Sequence, residues 1–129
     1  MSVLSVGVNP KSSVTGEVFL SNSLTKLFDI PTTFITQGAT ATTESVVLTS
    51  CYAINSDATE YTFTLYWSST SSSDTKQLTA NGLKITGPDV RPLPITGLTL
   101  PPGGSVWGVA SVANKIVVNF SYAALGYIP

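Results

Sequence analysis

Residues able to do covalent chemistry are few in this 129-residue chain. It contains no histidine, and its single cysteine is Cys51. Histidine is the commonest general base and a frequent metal ligand, and a nucleophilic cysteine needs a neighbouring base to form its thiolate. We therefore expect no catalytic triad and no reactive thiol. Cys51 is expected to be a small buried residue in the middle of a strand, and it has no second cysteine with which to form a disulfide.

The seven carboxylates are scattered along the sequence. Asp57 and Glu60 are close together, but they lie at a turn and on the strand after it, where solvated charges are typical. A glycosidase needs two carboxylates converging to within roughly 5–10 Å, and Glu17 with Glu44 is the pair considered. No segment matches a calcium loop, a phosphate-binding loop or a zinc site. We expect a protein that is not an enzyme and has no metal or cofactor. A small glycosidase remains an alternative, behind the two non-enzymatic functions described below.

Charge is scarce in this chain. Charged residues make up 10%, the net charge is -1, and the mean hydropathy is +0.30. The six Lys and Arg residues are dispersed and form no basic patch, so no nucleic-acid partner is expected. No apolar run reaches the length of about 18 residues that a membrane helix needs, and the start of the chain lacks the basic residues of a signal peptide.

Hydroxyl side chains take the place of charges, since Ser and Thr account for 35 of the 129 residues. A monomer with so few charges is poorly protected against association. We therefore expect a subunit that hides part of its surface in an assembly. The alternative is a neutral, hydroxyl-rich surface on a soluble protein.

The longest alternating pattern in the sequence is Val46–Trp67. We predict an antiparallel hairpin that turns at Asn55-Ser56-Asp57-Ala58, because these are small or turn-favouring residues. Directly opposed residues share a face, and the face predicted to enter the core is mostly large and apolar. Its members are Val46, Leu48, Ser50, Tyr52, Ile54, Thr59, Tyr61, Phe63, Leu65 and Trp67.

A second hairpin is predicted about Ala113-Asn114. It sets Trp107 opposite Phe120, Val109 opposite Val118, and Ser111 opposite Ile116. Each predicted hairpin has one face of large apolar residues, and the simplest way to bury both faces is to pack them against each other. The predicted fold is all-β, a two-sheet antiparallel β-sandwich of about eight strands with jelly-roll or Ig-like connectivity. Its core is predicted to contain Leu48, Phe63, Leu65, Trp107, Val109, Val118 and Phe120.

The rest of the chain is expected to be loops and short strands around this sandwich. Residues 1–24 form an N-terminal arm or edge strand, docked either on a neighbour or on the same subunit, and residues 25–129 form the sandwich domain. Asn81-Gly82 predicts a third hairpin. The serine-rich segment 68–73 is expected to be mobile, and the proline-rich segment 87–94 is expected to be a loop. A strand over 95–100 should end at the turn Pro101-Pro102-Gly103-Gly104.

Several apolar residues are left over after both core faces are assigned: Val47, Tyr66, Val106, Val112 and Val117. Apolar residues on outer sheet faces are what a subunit interface needs, so these five are the candidate subunit or virion interface. Trp67 and Trp107 are expected on core faces and so are not expected to form a sugar-binding platform.

Two stretches, Ser45–Ser68 and Gly97–Leu125, resemble a group of small β-sandwich structural proteins of tailed bacteriophages. Three motifs carry the resemblance: an extended entry with a proline turn, a strand pair with an aliphatic-x-x-Asn turn, and a Leu-x-Pro-Gly turn that leads into small-residue strands. They appear here as Leu27-Phe28-Asp29-Ile30-Pro31, as Cys51-Tyr52-Ala53-Ile54-Asn55-Ser56 before Glu60–Trp67, and as Leu98-Thr99-Leu100-Pro101-Pro102-Gly103-Gly104-Ser105-Val106.

The resemblance implies a virion component that is assembled in the host cytoplasm. It would be a head decoration (cement) protein or a tail or fibre accessory protein, with the major capsid protein or another virion protein as its partner. Such proteins commonly sit on threefold positions, so a homotrimer is expected. The alternative is a carbohydrate-binding β-sandwich module that recognises a host surface, which would need an exposed aromatic side chain beside polar groups.

Overall fold

A computed structural model describes residues 11–36, 38–69 and 75–129 of the chain. Residues 1–10 of the expected arm and residues 70–73 of the expected mobile segment lie outside this range. The described residues form strands and no helix, as predicted. The eleven strands are β1 Lys11–Phe19, β2 Thr25–Asp29, β3 Thr33–Thr36, β4 Ala39–Asn55, β5 Glu60–Ser68, β6 Thr75–Gln77, β7 Leu83–Thr86, β8 Asp89–Pro92, β9 Thr99–Leu100, β10 Ser105–Ala110 and β11 Ile116–Tyr127.

The strands form two antiparallel sheets packed face to face, which confirms the predicted β-sandwich. Sheet I has the order β1-β11-β4, and the short strands β3, β9 and β8 pair with further parts of β4. Sheet II has the order β2-β10-β5, and β7 and β6 pair with β5. Strand β1 pairs with β11 over its whole length and lies at the edge of sheet I. Because short segments share one long neighbour, the number of strands exceeds the expected eight.

Both predicted hairpins are wrong in their pairing. Strand β4 lies in sheet I and β5 in sheet II, and β10 lies in sheet II while β11 lies in sheet I. The chain therefore crosses from one sheet to the other at each turn and forms a β-arch. In an arch the side chains of the two strands face each other across the core, whereas in a hairpin the backbones pair. Two strands with apolar faces around a polar turn are compatible with both arrangements, so the sequence pattern does not distinguish them.

The predicted hairpin at Asn81-Gly82 is also not formed. Gly82 has a positive φ of 67°, as a turn glycine often does, but β6 and β7 pair with β5 and not with each other. Between them, Leu78 N–H donates to the Leu65 carbonyl oxygen at 2.8 Å, and Leu65 N–H donates to Thr79 Oγ1 at 3.0 Å. The backbone groups on this edge of β5 therefore bond to β6, to the residues between β6 and β7, and to β7, so β6 and β7 have no need to pair with each other.

The segment after β7 is more regular than expected at its start and less regular later. Residues 89–92 of the predicted loop form β8, which pairs with the end of β4. The predicted strand over 95–100 is reduced to the two residues of β9, Thr99–Leu100. Pro92 is the last residue of β8, a position at which a missing N–H disrupts little of the ladder.

Most of the predicted core is confirmed, since Leu48, Phe63, Leu65, Val118 and Phe120 are all buried. Trp107 and Val109 were predicted wrongly and lie on the outer face of sheet II. Strand β10 instead turns Val106, Gly108 and Ala110 inward. The reason is space: a Cβ on Gly108 would lie 2.8 Å from Leu20 Cδ2 and 2.9 Å from Leu65 Cδ2. Large neighbours already fill the core there, so β10 contributes its smallest residues.

Three aromatic rings join the two sheets inside the core. Phe28 comes from sheet II, and its ring centroid lies 4.6 Å from that of Phe120 and 4.7 Å from that of Tyr122, both in sheet I. Offset aromatic pairs at this spacing contribute about 0.5–1.5 kcal/mol each beyond the area they bury. Burial, with a smaller contribution from the carboxylate of Asp29, raises the pKa of the Tyr122 hydroxyl.

A β-bulge at Thr49 determines which face of β4 enters the core. Ser121 of β11 is opposite Ser50, and the next residue, Tyr122, is opposite Leu48, so Thr49 is an extra residue without a partner. The extra residue inverts the alternation. Val46 and Leu48 are buried before the bulge, and Cys51, Ala53 and Asn55 are buried after it. Tyr52 and Ile54 were predicted in the core and lie on the outer face instead.

Cys51 is buried, as expected of a thiol in the middle of a strand. Burial raises the pKa of its thiol to about 12. The protonated thiol is therefore the form that the fold stabilises at neutral pH.

Candidate functional site

The outer face of sheet I carries an apolar row that crosses four strands. Directly paired residues of antiparallel strands share a face, and the pairs Phe19–Val117, Val117–Ile54 and Ile54–Val90 are successive in the register. Phe19 is 56% exposed and Val90 is 54% exposed, and the two residues between them are half-buried. We call Phe19, Val117, Ile54 and Val90 the apolar row.

Beside the apolar row, the same face has an open, shallow site whose lining residues are largely of polar types. Two positions further along, Glu17 is paired with Asn119 and Asn119 with Tyr52. Two residues further along the strands, Thr15 is paired with Ser121 and Ser121 with Ser50. These side chains, with Gly16 and Phe120, line a groove of about 500 Å³, which we call the sheet I groove.

The bulge at Thr49 shapes this groove. It turns Tyr52 outward, and the Tyr52 side chain is 41% exposed. It also brings three hydroxyls together, because Ser121 Oγ lies 2.6 Å from Thr49 Oγ1 and 2.7 Å from Ser50 Oγ. Bulges commonly redirect side chains beside functional sites. Here one extra residue supplies both an exposed aromatic ring and a hydroxyl cluster.

Asn119 lies between Glu17 and Tyr52 in the groove wall. Its Oδ1 atom is buried and has no hydrogen-bond partner in the protein. An unpaired buried acceptor costs about 1–3 kcal/mol, so such atoms are uncommon in native structures. A donor from a bound molecule, together with a rotation of the amide about its Cβ–Cγ bond, would remove this cost.

The five residues predicted to form an interface are not brought together. Val117 belongs to the apolar row, and Val47 lies on the same outer face next to Ala123 and Thr99. Tyr66 lies on the outer face of sheet II, as predicted, and Val112 is exposed in the turn between β10 and β11.

Val106 is the clear correction among these five. It is only 2% exposed and belongs to the core, because β10 turns its small residues inward. It therefore cannot contribute to a contact surface.

Sequence reasoning missed three of the four residues in the apolar row. The bulge moves Ile54 outward, and no local signal in the sequence reveals the bulge. Val90 lies in a proline-rich segment that was predicted to be a loop. Phe19 could have been found, because it alternates with Thr15 and Glu17 on β1, where polar partners indicate an outward-facing position.

The outer face of sheet II has an aromatic pair of its own. Tyr66 and Trp107 are paired in the register, and both are half-buried. Lys26 Nζ lies 5.3 Å from the Trp107 ring centroid, and Trp107 Nε1 donates to Ser105 Oγ at 2.7 Å. The ring of Trp107 is thus already engaged by a cation and a hydroxyl.

The described carboxylates do not form a catalytic pair at the positions considered. Glu17 is level with Asn119 on β11, and Glu44 is level with Leu125 and Gly126. Six residues of strand separate those levels, which corresponds to roughly 20 Å. In the part of the chain that the structure describes, no group of three or more Cys, Asp or Glu side chains could hold a metal ion.

Asp57 is the carboxylate with the most partners among those described. The Tyr61 hydroxyl donates to Asp57 Oδ2 at 2.8 Å, and Lys115 Nζ lies 3.5 Å from the same oxygen. The bond from Tyr61, then the backbone N–H of Thr59, and more weakly Ala58 and Lys115, hold the pKa of Asp57 below its usual value. These contacts join the turn after β4 to the turn before β11, which is a structural role.

No protein-family model matches this chain, and no curated protein matches it significantly. Within residues 11–36, 38–69 and 75–129, no helix has the length and hydropathy needed to cross a membrane.

Proposed function

We propose that this protein is a non-enzymatic structural component of a tailed-bacteriophage virion, in the first instance a head decoration (cement) protein. A tail or fibre accessory protein is the second form of the same proposal. The observation that carries it is the apolar row, a strip of two exposed and two half-buried apolar residues on the outer face of sheet I. The resemblance of the sequence motifs to phage β-sandwich proteins supports the choice of particle.

The surroundings of the apolar row favour association with a protein. The next positions on the outer face of sheet I carry Glu17, Asn119 and Tyr52, and positions further along carry Ser121, Ala123 and Ser13, so most residues around the row are uncharged. Aromatic and aliphatic residues surrounded by small polar residues are typical of protein interfaces. The row ends at β1, which within the described residues is an edge strand with one unpaired side, so a neighbouring subunit has both side chains and backbone groups to contact.

We further propose that the chain forms a homotrimer and binds the major capsid protein or another virion protein, after assembly in the host cytoplasm. Identical chains usually form closed symmetric oligomers, and an apolar contact of this kind is satisfied by a neighbour in a ring. Because few charges are present, association should change little between about 0.05 and 1 M salt, a range over which exposed charges become strongly screened.

Sedimentation of the purified protein at micromolar concentration tests the oligomer. A double variant, Phe19→Ser with Val90→Ser, should weaken self-association by at least about tenfold, because it removes both exposed ends of the apolar row. The matched control is Ile35→Ser, since Ile35 is 74% exposed on β3 outside the row. A wild-type chain that remains monomeric, or an Ile35→Ser variant that dissociates as much as the double variant, would contradict the interface.

The location on a particle needs a separate experiment. Mass spectrometry of purified virions should detect the chain, and cryo-microscopy should find it on threefold positions of the head if it is a decoration protein. Density on the tail or fibres would favour the accessory form. Absence of the chain from purified particles would overturn the proposal.

A further inference from the structure

We propose that the sheet I groove is a binding site for a neutral sugar unit of a glycan. This inference does not depend on the virion assignment, because it rests on the contents of the groove alone. Its elements are one exposed aromatic ring, one carboxylate, one amide with an unpaired acceptor, and a cluster of hydroxyls, all along an open groove on the sheet face.

Tyr52 supplies the apolar part of such a site. A sugar ring has one face of C–H groups, which packs on an aromatic ring, and a rim of hydroxyls that require hydrogen bonds. Tyr52 is exposed in the groove, no ring contact or hydrogen bond of its side chain is observed in the described structure, and it is paired with Asn119 in the register. Tyr66 and Trp107 on sheet II are less suitable, because Lys26 already covers Trp107.

The polar groups of the groove match the rim of hydroxyls. Asn119 contributes an amide whose Oδ1 atom is buried without a partner in the protein, so a sugar hydroxyl would reach this acceptor once the amide rotates toward the groove. Ser50 and Ser121 line the groove, and Thr49 bonds to Ser121 beside it. These three hydroxyls have three protons, and the two contacts among them use two, which leaves one proton to donate. Glu17 is exposed on the opposite wall, and its two carboxylate oxygens can accept from neighbouring hydroxyls of one sugar.

The charge of the groove disfavours acidic ligands. Among the described residues that line it, Glu17 is the only charged one, and none is Lys or Arg. A phosphate, a sulfate or an acidic sugar would meet this carboxylate with no cation to compensate, which is unfavourable. Together with the exposed Tyr52 ring and the hydroxyls, this charge favours a neutral hexose or N-acetylhexosamine as the ligand.

The size of the site agrees with this class. A volume of about 500 Å³ lies within the usual range of small-molecule sites, and it suits one or two sugar rings. The site is an open groove on a sheet face, so a longer glycan can continue out of it at either end.

The test is an array of neutral and sialylated glycans probed with the purified full chain, followed by titration of the best neutral oligosaccharide. Saturable binding to neutral glycans, with none to their sialylated counterparts, is expected. Tyr52→Ala should weaken binding by about tenfold, and Tyr52→Phe should retain most of it, because the ring remains. The matched control is Tyr127→Ala, which removes another exposed tyrosine outside the groove and should leave binding unchanged.

Two outcomes would overturn the inference: no saturable binding to any neutral glycan on the array, or equal affinity of the Tyr52→Ala variant and the wild type. Denaturation midpoints of the variants establish that each is folded. The double variant at Phe19 and Val90 should keep its glycan affinity while losing self-association. A failure of the sugar site and a failure of the proposed assembly are therefore distinguishable.

Discussion

The side-chain amide of Asn55 donates to the carbonyl oxygen of Ile85 at 3.0 Å, and the two residues lie in opposite sheets. The same amide nitrogen donates to the Thr59 carbonyl oxygen at 2.8 Å, and Asn55 Oδ1 accepts from Asp57 N–H at 3.0 Å. Asn55 is fully buried. One side chain therefore satisfies three backbone groups at the place where the chain crosses between the sheets.

Replacing Asn55 by alanine should lower the free energy of unfolding by about 2–4 kcal/mol, because it leaves buried backbone groups without partners. Urea denaturation measures the change. Asn22→Ala is the control, since Asn22 is exposed, and its effect should stay below about 0.5 kcal/mol. Equal midpoints for the two variants would show that the turn does not depend on this amide.

Phe63 is 1% exposed in the core, and truncating it to alanine should cost about 3–5 kcal/mol. Phe120→Ala should behave similarly, because it also removes the ring that packs against Phe28 in a tilted arrangement. Phe19→Ala is the matched control and should cost less than about 1 kcal/mol in the monomer, since that ring is on the surface. A small effect at Phe63 would contradict the position of the core.

Gly126 lies beside a second bulge, where Gly126 pairs with Thr43 and Leu125 pairs with Ser45. A Cβ at Gly126 would collide with the backbone carbonyl oxygen of Thr42, and neither backbone can easily move within the sheet. Gly126→Ala should therefore lower the free energy of unfolding by several kcal/mol, and the melting temperature should fall strongly.

The control for Gly126 is Gly38→Ala. Gly38 has a positive φ of 78° and open space around its Cα, so only a backbone strain of about 1 kcal/mol is expected there. If the two alanine variants melt at the same temperature, the close approach of β4 and β11 at Gly126 is not as described.

Stability should fall at alkaline pH because of Cys51. Its thiol has a pKa of about 12 in the folded chain and 9.0 in the unfolded chain. The folded state therefore retains a proton that the unfolded state loses, and the stabilisation present below pH 9 is lost progressively as the pH rises toward 12. This difference between the two pKa values corresponds to a loss of about 4 kcal/mol in the free energy of unfolding at the alkaline end of the range.

Denaturation midpoints measured across this pH range test the prediction. Cys51→Ala should reduce the fall in stability at alkaline pH, whatever the substitution does to stability at neutral pH. Tyr122 has a raised pKa and acts in the same direction, so Tyr122→Phe should reduce the decline further. An unchanged pH profile in the double variant would contradict the assignment.

Alternation along single strands was predictable from the sequence. Phe63 and Leu65 on β5, and Val118 and Phe120 on β11, are buried because apolar residues recur at every second position, which is the period of a strand. The two-layer fold follows from the same pattern, since two such faces must cover each other.

Strand pairing and the candidate site were not predictable. An arch and a hairpin present the same pattern of residues. Val46–Trp67 was therefore predicted to lie in one sheet, whereas its two halves lie in different sheets. The bulge at Thr49 depends on the register between β4 and β11, which are distant in sequence. Because the bulge turns Tyr52 and Ile54 outward, both the groove and most of the apolar row depend on contacts that one sequence does not reveal.

The position of β11 in sheet I has a consequence for the nascent chain. Strand β11 lies between β1 and β4, and it is the last strand that the ribosome produces in the described chain. While translation continues, β1 and the 17-residue β4 have no central partner. A ribosome that pauses before Ile116 therefore holds two unpaired strand edges that a neighbouring nascent chain on the same messenger could join. Synthesis of β11 closes this interval, so codon usage in the segment that encodes Ile116–Tyr127 should influence the yield of correctly folded protein.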